Sequence, residues 1–222
     1  MNGAGKTTTF KSLTNDLVPN SGQVSIAGYD AQSQFGQARK MIGYCPQHNT
    51  LFEQMTVYEN LSYFASLKGV PNRIKHKLIR RVIKQMNLEE HQRKEAGTLS
   101  GGNKRKLQVA IAIIGNPPIM LLDEPSAGMD PEARRFMWQV VAGLTQTRKQ
   151  CAVILTTHSM EEAEALSTKM GILVKGGVFK CFGSVQHIKN KFGTGYEIEV
   201  KMKKAELEEL DAILKQFQIP DD

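Results

Sequence analysis

Gly5, Lys6 and Thr7 stand together near the start of the chain and have the residue types that bind phosphate. They match the second half of the pattern G-x-x-x-x-G-K-[ST], whose first glycine would fall one position before Met1. In such a loop, small residues let backbone N–H groups approach phosphate oxygens at a helix N-terminus. The lysine reaches the β- and γ-phosphates, and the threonine hydroxyl ligates Mg²⁺. Because three matching residues also occur by chance, the pattern predicts a nucleotide site only together with further residues.

Two acids, Asp123 and Glu124, end a continuous apolar run that begins at Ile119. Such a run is typical of a parallel strand buried on both faces, and ligands in α/β folds bind at the carboxyl ends of such strands. One acid there can hold Mg²⁺, usually through water, and the other can orient and deprotonate an attacking water. A purely structural acid pair is the alternative, which the phosphate-binding residues make weaker.

Further polar positions lie where a nucleotide could reach them. A lone histidine is more often structural than catalytic, but His158 ends a second apolar run, and this place at a strand end is compatible with a γ-phosphate contact. Ser100, Gly101 and Gly102 form a second glycine turn before a helix, which predicts a second anion site. Since one nucleotide does not need two such sites from one chain, the second turn suggests a neighbour's nucleotide. Gln47 follows a strand and a proline, from where it could reach Mg²⁺ or water.

The elements that must position these residues alternate between helix and strand. Apolar residues at helical spacing, with caps and breakers, predict helices over 5–17, 31–40, 56–68, 72–87, 99–114, 131–147, 159–166, 184–192 and 205–217. Short apolar runs predict strands over 23–28, 41–47, 119–125, 151–158 and 196–202, and two more within 170–183. This alternation predicts an α/β fold with a mainly parallel central sheet flanked by helices.

Composition sets the broad class of protein. The 222 residues, 41% hydrophobic and 23% charged, are those of an ordinary soluble globular protein. No apolar run approaches the ~20 residues of a membrane helix, and three widely spaced cysteines fit neither a disulfide framework nor a zinc site. The net charge of +7 could indicate nucleic acid or an anionic membrane surface. Much of it lies on the polar face of the predicted helix 72–87 without interleaved aromatic residues, which favours a solvated helix face.

Taken in order, NGAGKTTT, Gln47, LSGGN, IMLLDEP, SAGMD and TTH resemble the motifs of the ATP-binding cassette (ABC) ATPases. The resemblance covers nearly the whole chain, and LSGG is the signature of that family. The segments LSGGNKRKLQVAIA, HSMEEAEAL and FGSVQHIKNKFGTGYEIEV resemble subfamily A, the lipid-exporter type. The last of them favours the second cassette of such a transporter.

The resemblance implies a role for each of these residues. Glu124 would be the general base, His158 would stabilise the γ-phosphate, and Gln47 would sense it and contact the membrane domain through the helical block. Thr7, Gln47 and Asp123 would hold Mg²⁺. Contacts with ATP are implied for Asn2, Gly3, Ala4, Gly5, Lys6, Thr7, Thr8, Ser100, Gly101, Gly102 and Asp130, the last in a loop that couples two sites.

The resemblance also implies an architecture and partners. It implies a P-loop NTPase fold over residues 1–192, with an inserted helical subdomain at about 50–115 and the start of a regulatory-type extension over 193–222. Two cassettes would hold two ATP molecules head-to-tail between them, and transmembrane domains would be the other partners. The expected location is therefore the cytoplasmic face of a membrane, and no nucleic acid is expected.

Two departures from the family pattern stand out. Asn103 stands where many members have glutamine, which subfamily A tolerates. The chain also begins inside its phosphate loop, so we expect the first glycine, the strand before it and an adenine-stacking aromatic residue to be missing. We therefore expect a fragment of a longer product or a mis-started gene model, which hydrolyses ATP more slowly than a chain with this segment restored.

Two alternatives stay open at this point. A non-catalytic cassette remnant is favoured by the incomplete phosphate loop, but Lys6, Asp123, Glu124 and His158 are all in place. A soluble cassette protein that acts on nucleic acid or ribosomes would suit the positive charge, but the subfamily A-like tail argues against it.

Overall fold

A three-stranded parallel sheet lies at the centre of the fold. The computed structural model describes residues 3–147 and 151–192. The strands are β1 (Ser25–Ile26), β2 (Tyr29–Asp30), β3 (Ile42–Cys45), β4 (Ile119–Asp123), β5 (Ala152–Thr156), β6 (Met170–Val174) and β7 (Val178–Gly183). The helices are α1 (Lys6–Leu13), α2 (Phe35–Ala38), α3 (Val57–Leu67), α4 (Asn72–Gln85), α5 (Gly101–Ile113), α6 (Pro131–Thr147), α7 (Met160–Leu166) and α8 (Val185–Phe192).

The central sheet has the order β3-β4-β5, and two antiparallel hairpins, β1-β2 and β6-β7, complete the strands of the described residues. Successive residues of β4 face two different cores, as the period of a strand requires. Met120 and Leu122 pack with the helices α3 to α6, and Leu121 packs with Phe10 of α1. The predicted α/β class with helices on both faces of a parallel sheet is confirmed.

A block of three helices, α3, α4 and α5, packs against one face of the sheet. Thr56 and Glu59 form a capping box at the start of α3, with the Thr56 side chain accepting from the Glu59 amide and the Glu59 side chain accepting from the Thr56 amide. The amphipathic pattern of α4 is also confirmed, since Ile79 and Ile83 are buried while its basic residues face outward. Leu67 does not share the buried position of the other apolar residues spaced along α3, such as Val57 and Leu61. It is 65% exposed, because the chain turns away directly after it at Gly69, where φ is 72°.

β5 is less buried than its apolar sequence predicts. It pairs with β4 from Ala152 to Thr156 and forms the edge of the described sheet. Ile154 is 46% exposed, so the prediction of a strand buried on both faces is wrong for β5. An apolar run indicates that a strand can be buried, but it does not show whether the strand pairs with one or with two neighbouring strands.

The segment between α1 and β3 differs most from its prediction. The single strand predicted over 23–28 is instead a hairpin, because Ala27 and Gly28 adopt φ values of 51° and 86° and reverse the chain. The single helix predicted over 31–40 shrinks to α2 and a 3₁₀ turn, Arg39–Met41. The Asp30 carboxylate accepts bonds from the two amides that would otherwise begin this helix, at 3.0 and 2.7 Å.

The remaining predicted elements have these outcomes. The first helix ends at Leu13 rather than Leu17, because Asn15 adopts a left-handed conformation with φ of 58°. The observed bounds of α3 to α8 and of β6-β7 agree with their predicted bounds to within a few residues. The strand predicted over 196–202 and the helix over 205–217 lie outside the described residues, as does Asn2. In the described part of the chain, no helix combines the length and the apolar character needed to cross a membrane.

Candidate functional site

The residues predicted to bind phosphate form a glycine turn that opens directly into α1. Gly3 and Gly5 adopt φ values of 77° and 99°, a region that favours glycine, and Ala4 between them is buried. Lys6 and Thr7 are the first residues of the helix, so their amides belong to its N-terminal turn. A helix N-terminus with a glycine turn before it is suited to bind an anion, as the sequence predicts.

Asp123 ends β4 in a fully buried position beside Thr7. The Thr7 hydroxyl donates a hydrogen bond to one carboxylate oxygen of Asp123 at 3.0 Å. The Thr156 hydroxyl, at the end of β5, donates a hydrogen bond to the other oxygen. The hydroxyl and the carboxylate predicted to hold Mg²⁺ therefore lie in direct contact, although 116 positions separate them in the chain.

Glu124 is the residue on which the site converges. Its Oε2 accepts a hydrogen bond from Gln47 Nε2 at 3.3 Å and lies 3.4 Å from His158 Nδ1. Its Oε1 lies 4.0 Å from Lys6 Nζ. The Glu124 side chain is only 10% exposed, whereas His158 is 58% exposed and reaches the group from the solvent side.

Strand order explains why these residues meet. β3, β4 and β5 are parallel, so the segments that follow them leave the same edge of the sheet. Gln47 follows β3, Glu124 follows β4 and His158 follows β5. The sequence predicts that acids and a histidine at strand ends come together at this edge, and the structure brings them together there.

The second glycine turn lies at the start of α5 and is built as a helix cap. The Ser100 hydroxyl accepts from the Asn103 amide at 3.3 Å, and the Ser100 carbonyl accepts from the Lys104 amide at 2.8 Å. Gly101 is exposed, and Gly102 is half-buried. Among residues 3–147 and 151–192, no hydrogen bond or ion pair joins this turn to the side chains of Gln47, Glu124 or His158.

Asp130 also lies apart from the Glu124 group. Its Oδ1 accepts from the amides of Glu132 and Ala133 at 3.1 and 2.9 Å, and thereby caps the N-terminus of α6. These backbone bonds, that of Ala133 first, hold the pKa of the Asp130 carboxyl below its ordinary value. Asp130 is an exposed residue of the loop between Glu124 and α6 and carries negative charge there. Thr8, in the first turn of α1, is exposed, and its carbonyl accepts a hydrogen bond from the Ser12 hydroxyl at 3.2 Å.

Sequence reasoning missed a buried carboxylate, Glu162, on α7. Its Oε1 accepts hydrogen bonds from the Ser126 hydroxyl at 2.7 Å and from the Trp138 indole N–H at 3.1 Å. Glu162 is 1% exposed and lines a small cleft with Glu124 and His158. It therefore links the helix that follows His158 to the loop that follows Glu124. The sequence shows only a glutamate in a helical pattern, which gives no sign of burial.

The residues present fit Mg²⁺ bound together with a nucleotide. Within the described residues, no cluster of three or more His, Cys, Asp or Glu side chains could hold a metal ion. Mg²⁺ at phosphate sites needs fewer protein ligands, because phosphate and water oxygens complete its octahedron. The neighbouring oxygens of Thr7 and Asp123 supply the hard ligands that Mg²⁺ prefers. The Gln47 amide bonds to Glu124 rather than to Asp123.

Residues 1–127 match the family model described as ABC transporter. The chain is 48% identical over 202 residues to phospholipid-transporting ATPase ABCA3 from Mus musculus, which covers 91% of the chain. It is 48% identical over 203 residues to retinal-specific phospholipid-transporting ATPase ABCA4 from Homo sapiens, also 91% of the chain. It is 44% identical over 206 residues to the human ATP-binding cassette sub-family A member 2. The chain spans 12%, 9% and 8% of the lengths of these three relatives.

Solved structures show the same fold. The structure of the ATP binding subunit of an ABC transporter matches with a TM-score of 0.78 and 27% identity, over 97% of this chain and 85% of the other. A dimeric, post-hydrolysis ATP-binding cassette bound to ADP and Pi matches with a TM-score of 0.75. Its identity is 22%, over 83% of this chain and 82% of the other, so this likeness concerns the fold alone.

Proposed function

The chain belongs to the ABC transporter family, and from this premise we propose that it binds and hydrolyses ATP to power transport across a membrane. The observation that carries the proposal is the convergence of Lys6, Gln47 and His158 on the Glu124 carboxylate. Phosphoryl transfer to water depends on positioning and on electrostatic stabilisation of the phosphate oxygens. A phosphate-binding lysine, a base and two polar side chains in one group meet these needs.

Each residue has a role in the proposed reaction. The Glu124 carboxylate accepts a proton from water as the water oxygen attacks the γ-phosphorus and the bond to the ADP oxygen breaks. Gln47 and His158, both within 3.4 Å of Glu124, orient the carboxylate and the water between them. Lys6 and the amides at the start of α1 stabilise the negative charge of the phosphates. Thr7 and Asp123 would hold Mg²⁺, which supplies charge neutralisation between the phosphate groups.

Replacing Glu124 by glutamine tests this function. Glu124→Gln keeps the shape and the polar contacts of the side chain but cannot accept the proton. We expect ATP hydrolysis, measured as phosphate release, to fall by about 10²- to 10³-fold, because general base catalysis contributes effects of this size. Binding of a fluorescent ATP analogue should change by less than about threefold, since the base is not a phosphate ligand.

The matched control for this experiment is Glu90→Gln, which removes the same charge at an exposed position in the 3₁₀ turn Glu89–His91. It should leave both ATP binding and phosphate release unchanged. Failure of the native chain to bind the ATP analogue would contradict the proposal as a whole. Binding with equal phosphate release in both variants would contradict the role of Glu124.

We propose a second cassette as the partner of the second glycine turn. Ser100 caps α5, and Gly101 beside it is exposed, so this turn presents a helix N-terminus to an incoming phosphate. In the described residues the turn has no bond to the side chains of Gln47, Glu124 or His158, which suits a contact with ATP held mainly by another cassette. Two such cassettes would face each other head-to-tail, with the loop of Asp130 near the second site.

The other proposed partner is a set of transmembrane domains that docks on the helical block. Phe52 lies five positions after Gln47, and its ring centroid is 5.0 Å from that of Tyr63 and 6.0 Å from that of Phe64. Phe52 and Tyr63 are 41% and 42% exposed. Exposed aromatic residues in contact with one another are typical of protein interfaces. This cluster could transmit changes at Gln47 to a membrane domain at the cytoplasmic face of the membrane.

Phospholipid is the transported substrate that we propose, because two of the similar relatives are named phospholipid-transporting ATPases. We propose in addition that residues 1–192 are the ATPase domain, with a helical subdomain at about 50–115. Residues 193–222 would begin a regulatory extension, as expected after a second cassette. Transport of labelled phospholipid by the whole transporter, with and without Glu124→Gln in this cassette, would test the substrate.

A further inference from the structure

Arg105, on the first turns of α5, is a buried cation that binds the segment carrying the catalytic acids. It is 5% exposed. Its Nη2 donates hydrogen bonds to the carbonyl oxygens of Asp123 and Glu124, the latter at 2.9 Å. Its Nε donates to the carbonyl of Pro125 at 3.1 Å. One guanidinium thus bonds to three successive carbonyls at the end of β4.

The same guanidinium also binds the segment that carries Gln47. Arg105 Nη1 donates to the carbonyls of Pro46 and Gln47 at 2.7 and 3.2 Å. It is itself oriented by Gln108, one turn further along α5, whose Oε1 accepts from Nη1 at 3.1 Å. Gln108 Nε2 in turn donates to the carbonyl of His48 at 2.6 Å. Arg105 therefore joins α5 to the two loops whose side chains meet at Glu124.

Arg105 buries a positive charge, which a residue with only a packing role would not need. Among the described residues, no carboxylate forms an ion pair with it, so backbone carbonyl dipoles are its main compensation. A packed apolar side chain in this position would avoid the desolvation of a cation. The planar fork of arginine can reach several carbonyls at fixed angles, which the single ammonium group of lysine cannot. The geometry therefore favours a role in placing the two loops.

Glu124 has a backbone conformation that needs such support. Its φ is 50°, a left-handed conformation that non-glycine residues rarely adopt. The amide of Glu124 is held by the Thr156 carbonyl at 3.0 Å, and its carbonyl is held by Arg105. Residues in this conformation persist only where the surrounding structure fixes them on both sides.

We propose that Arg105 is a positioning residue that sets the distance between Gln47 and Glu124 and couples it to the position of α5. The inference rests on the proposed function for its kinetic consequence, but its structural content does not depend on that function. Because α5 begins at the Ser100 turn, movement of that turn passes through Arg105 to both loops. Binding of a phosphate at the second anion site is in this way communicated to the chain's own base.

Arg105→Lys tests the proposal, because it keeps the positive charge and loses the fork. We expect amide hydrogen exchange to rise at least about tenfold in the segments 47–49 and 124–127, while exchange in α4 stays unchanged. The kcat for ATP hydrolysis should fall by about 10- to 100-fold with a change in KM below about threefold, since a small misplacement of catalytic groups has effects of this size. Gln47→Ala should lower kcat less in the Arg105→Lys background than in the native chain, because the two changes disturb the same contact.

The control is Arg80→Lys, the same substitution on the exposed face of α4, which should leave exchange and kinetics unchanged. Unchanged exchange in the two segments after Arg105→Lys, or exchange that rises equally in α4, would overturn the proposal in favour of a packing role. Additive effects of Gln47→Ala and Arg105→Lys on kcat would do the same.

A second variant applies if Arg105→Lys does not fold. Gln108→Met removes one acceptor of the guanidinium and the bond to His48, and should raise exchange in the segment 47–49 above that in the native chain. Equal exchange there would overturn the inference. If the native chain neither binds nor hydrolyses ATP, the proposed function fails, whereas the exchange measurements still decide the role of Arg105.

Discussion

Glu124 is held in place by its backbone as well as by its side chain. Its left-handed conformation costs of the order of 1–3 kcal/mol, which the neighbouring hydrogen bonds offset. The bonds to its amide and carbonyl direct its carboxylate towards Lys6 and His158. If Glu124 is the base, as proposed, its orientation is built into the fold before any phosphate arrives, which reduces the reorganisation that the reaction needs.

Cys45, two positions before Gln47, makes the stability of the fold depend on pH in alkaline solution. Complete burial raises the pKa of its thiol from 9.0 to about 11. Between these two values the unfolded chain loses the proton while the folded chain keeps it. The free energy of unfolding should therefore fall as the pH rises from 9 to 11, by up to about 1.4 kcal/mol per pH unit from this residue.

Urea denaturation between pH 8 and pH 11 measures this effect as a difference between the native chain and Cys45→Ala. The variant should lose the part of the slope that comes from the thiol. Cys45→Ser should show the same flatter slope even if its stability at pH 8 differs, because a serine hydroxyl does not ionise in this range. Parallel slopes in all three proteins would show that the thiol does not titrate in this way.

The residues of the site were predictable to different degrees. Lys6, Asp123 and His158 stand in local patterns whose chemistry can be recognised, because a phosphate loop and a strand end are both short-range features. Arg105 and Glu162 were not predictable, because their importance depends on burial and on partners 18 or more positions away. A charged residue inside a helical pattern is normally assigned to the solvent face, and nothing local contradicts that assignment.

At the scale of elements, β3 and α5 approach each other so closely that a side chain does not fit between them. A Cβ added to Gly43 would lie 2.3 Å from the carbonyl oxygen of Ala112 and 2.7 Å from Pro117 Cγ. Gly43→Ala should therefore lower the free energy of unfolding by about 1–3 kcal/mol, as expected for overpacking of a core. Because β3 leads to Gln47, ATP hydrolysis should fall as well.

Gly36→Ala is the matched control for Gly43→Ala in urea denaturation. Gly36 lies in α2, and a Cβ added there would meet no atom within 4 Å. This variant should be as stable as the native chain or slightly more stable, because alanine favours the helix. Equal stability of both variants would mean that the contact between β3 and α5 can relax without cost.

Elements with strong local signals were the predictable ones. The capping box of α3 and the apolar periodicity of α4 fix their starts and their buried faces. The hairpin β1-β2 was not predictable in this way, because its turn places the alanine Ala27 in a left-handed conformation that favours other residues. The exposure of β5 depends on its place at the edge of the described sheet, which is a property of the sheet rather than of the strand.

The whole molecule presents two glycine turns that open helices, at Lys6 and at Ser100, and both are proposed to contact phosphate. If each turn contributes to a shared nucleotide, ATP should join two chains. Glu124→Gln, which keeps binding and removes the base, should therefore accumulate as a dimer at saturating ATP and Mg²⁺. Light scattering should then give about twice the 24.7 kDa of one chain, and the mass should return to that of one chain without nucleotide.

A charge reversal in the second turn tests the arrangement of this dimer. Ser100→Glu, added to Glu124→Gln, brings a negative charge to the proposed phosphate contact and should keep the chain monomeric at saturating ATP. Ser21→Glu, at an exposed loop position, is the matched control and should leave the dimer intact. A dimer that survives Ser100→Glu would place the contact elsewhere.

The bond between Trp138 and Glu162 gives the molecule an optical label of its own. Trp138 is the one tryptophan in the sequence, and its indole N–H donates to the carboxylate of α7, the helix that directly follows His158. The emission of an indole shifts when its hydrogen bonding and polarity change. Displacement of α7 would therefore alter the fluorescence spectrum of the unmodified chain, so its conformational kinetics can be recorded by stopped flow without an attached dye.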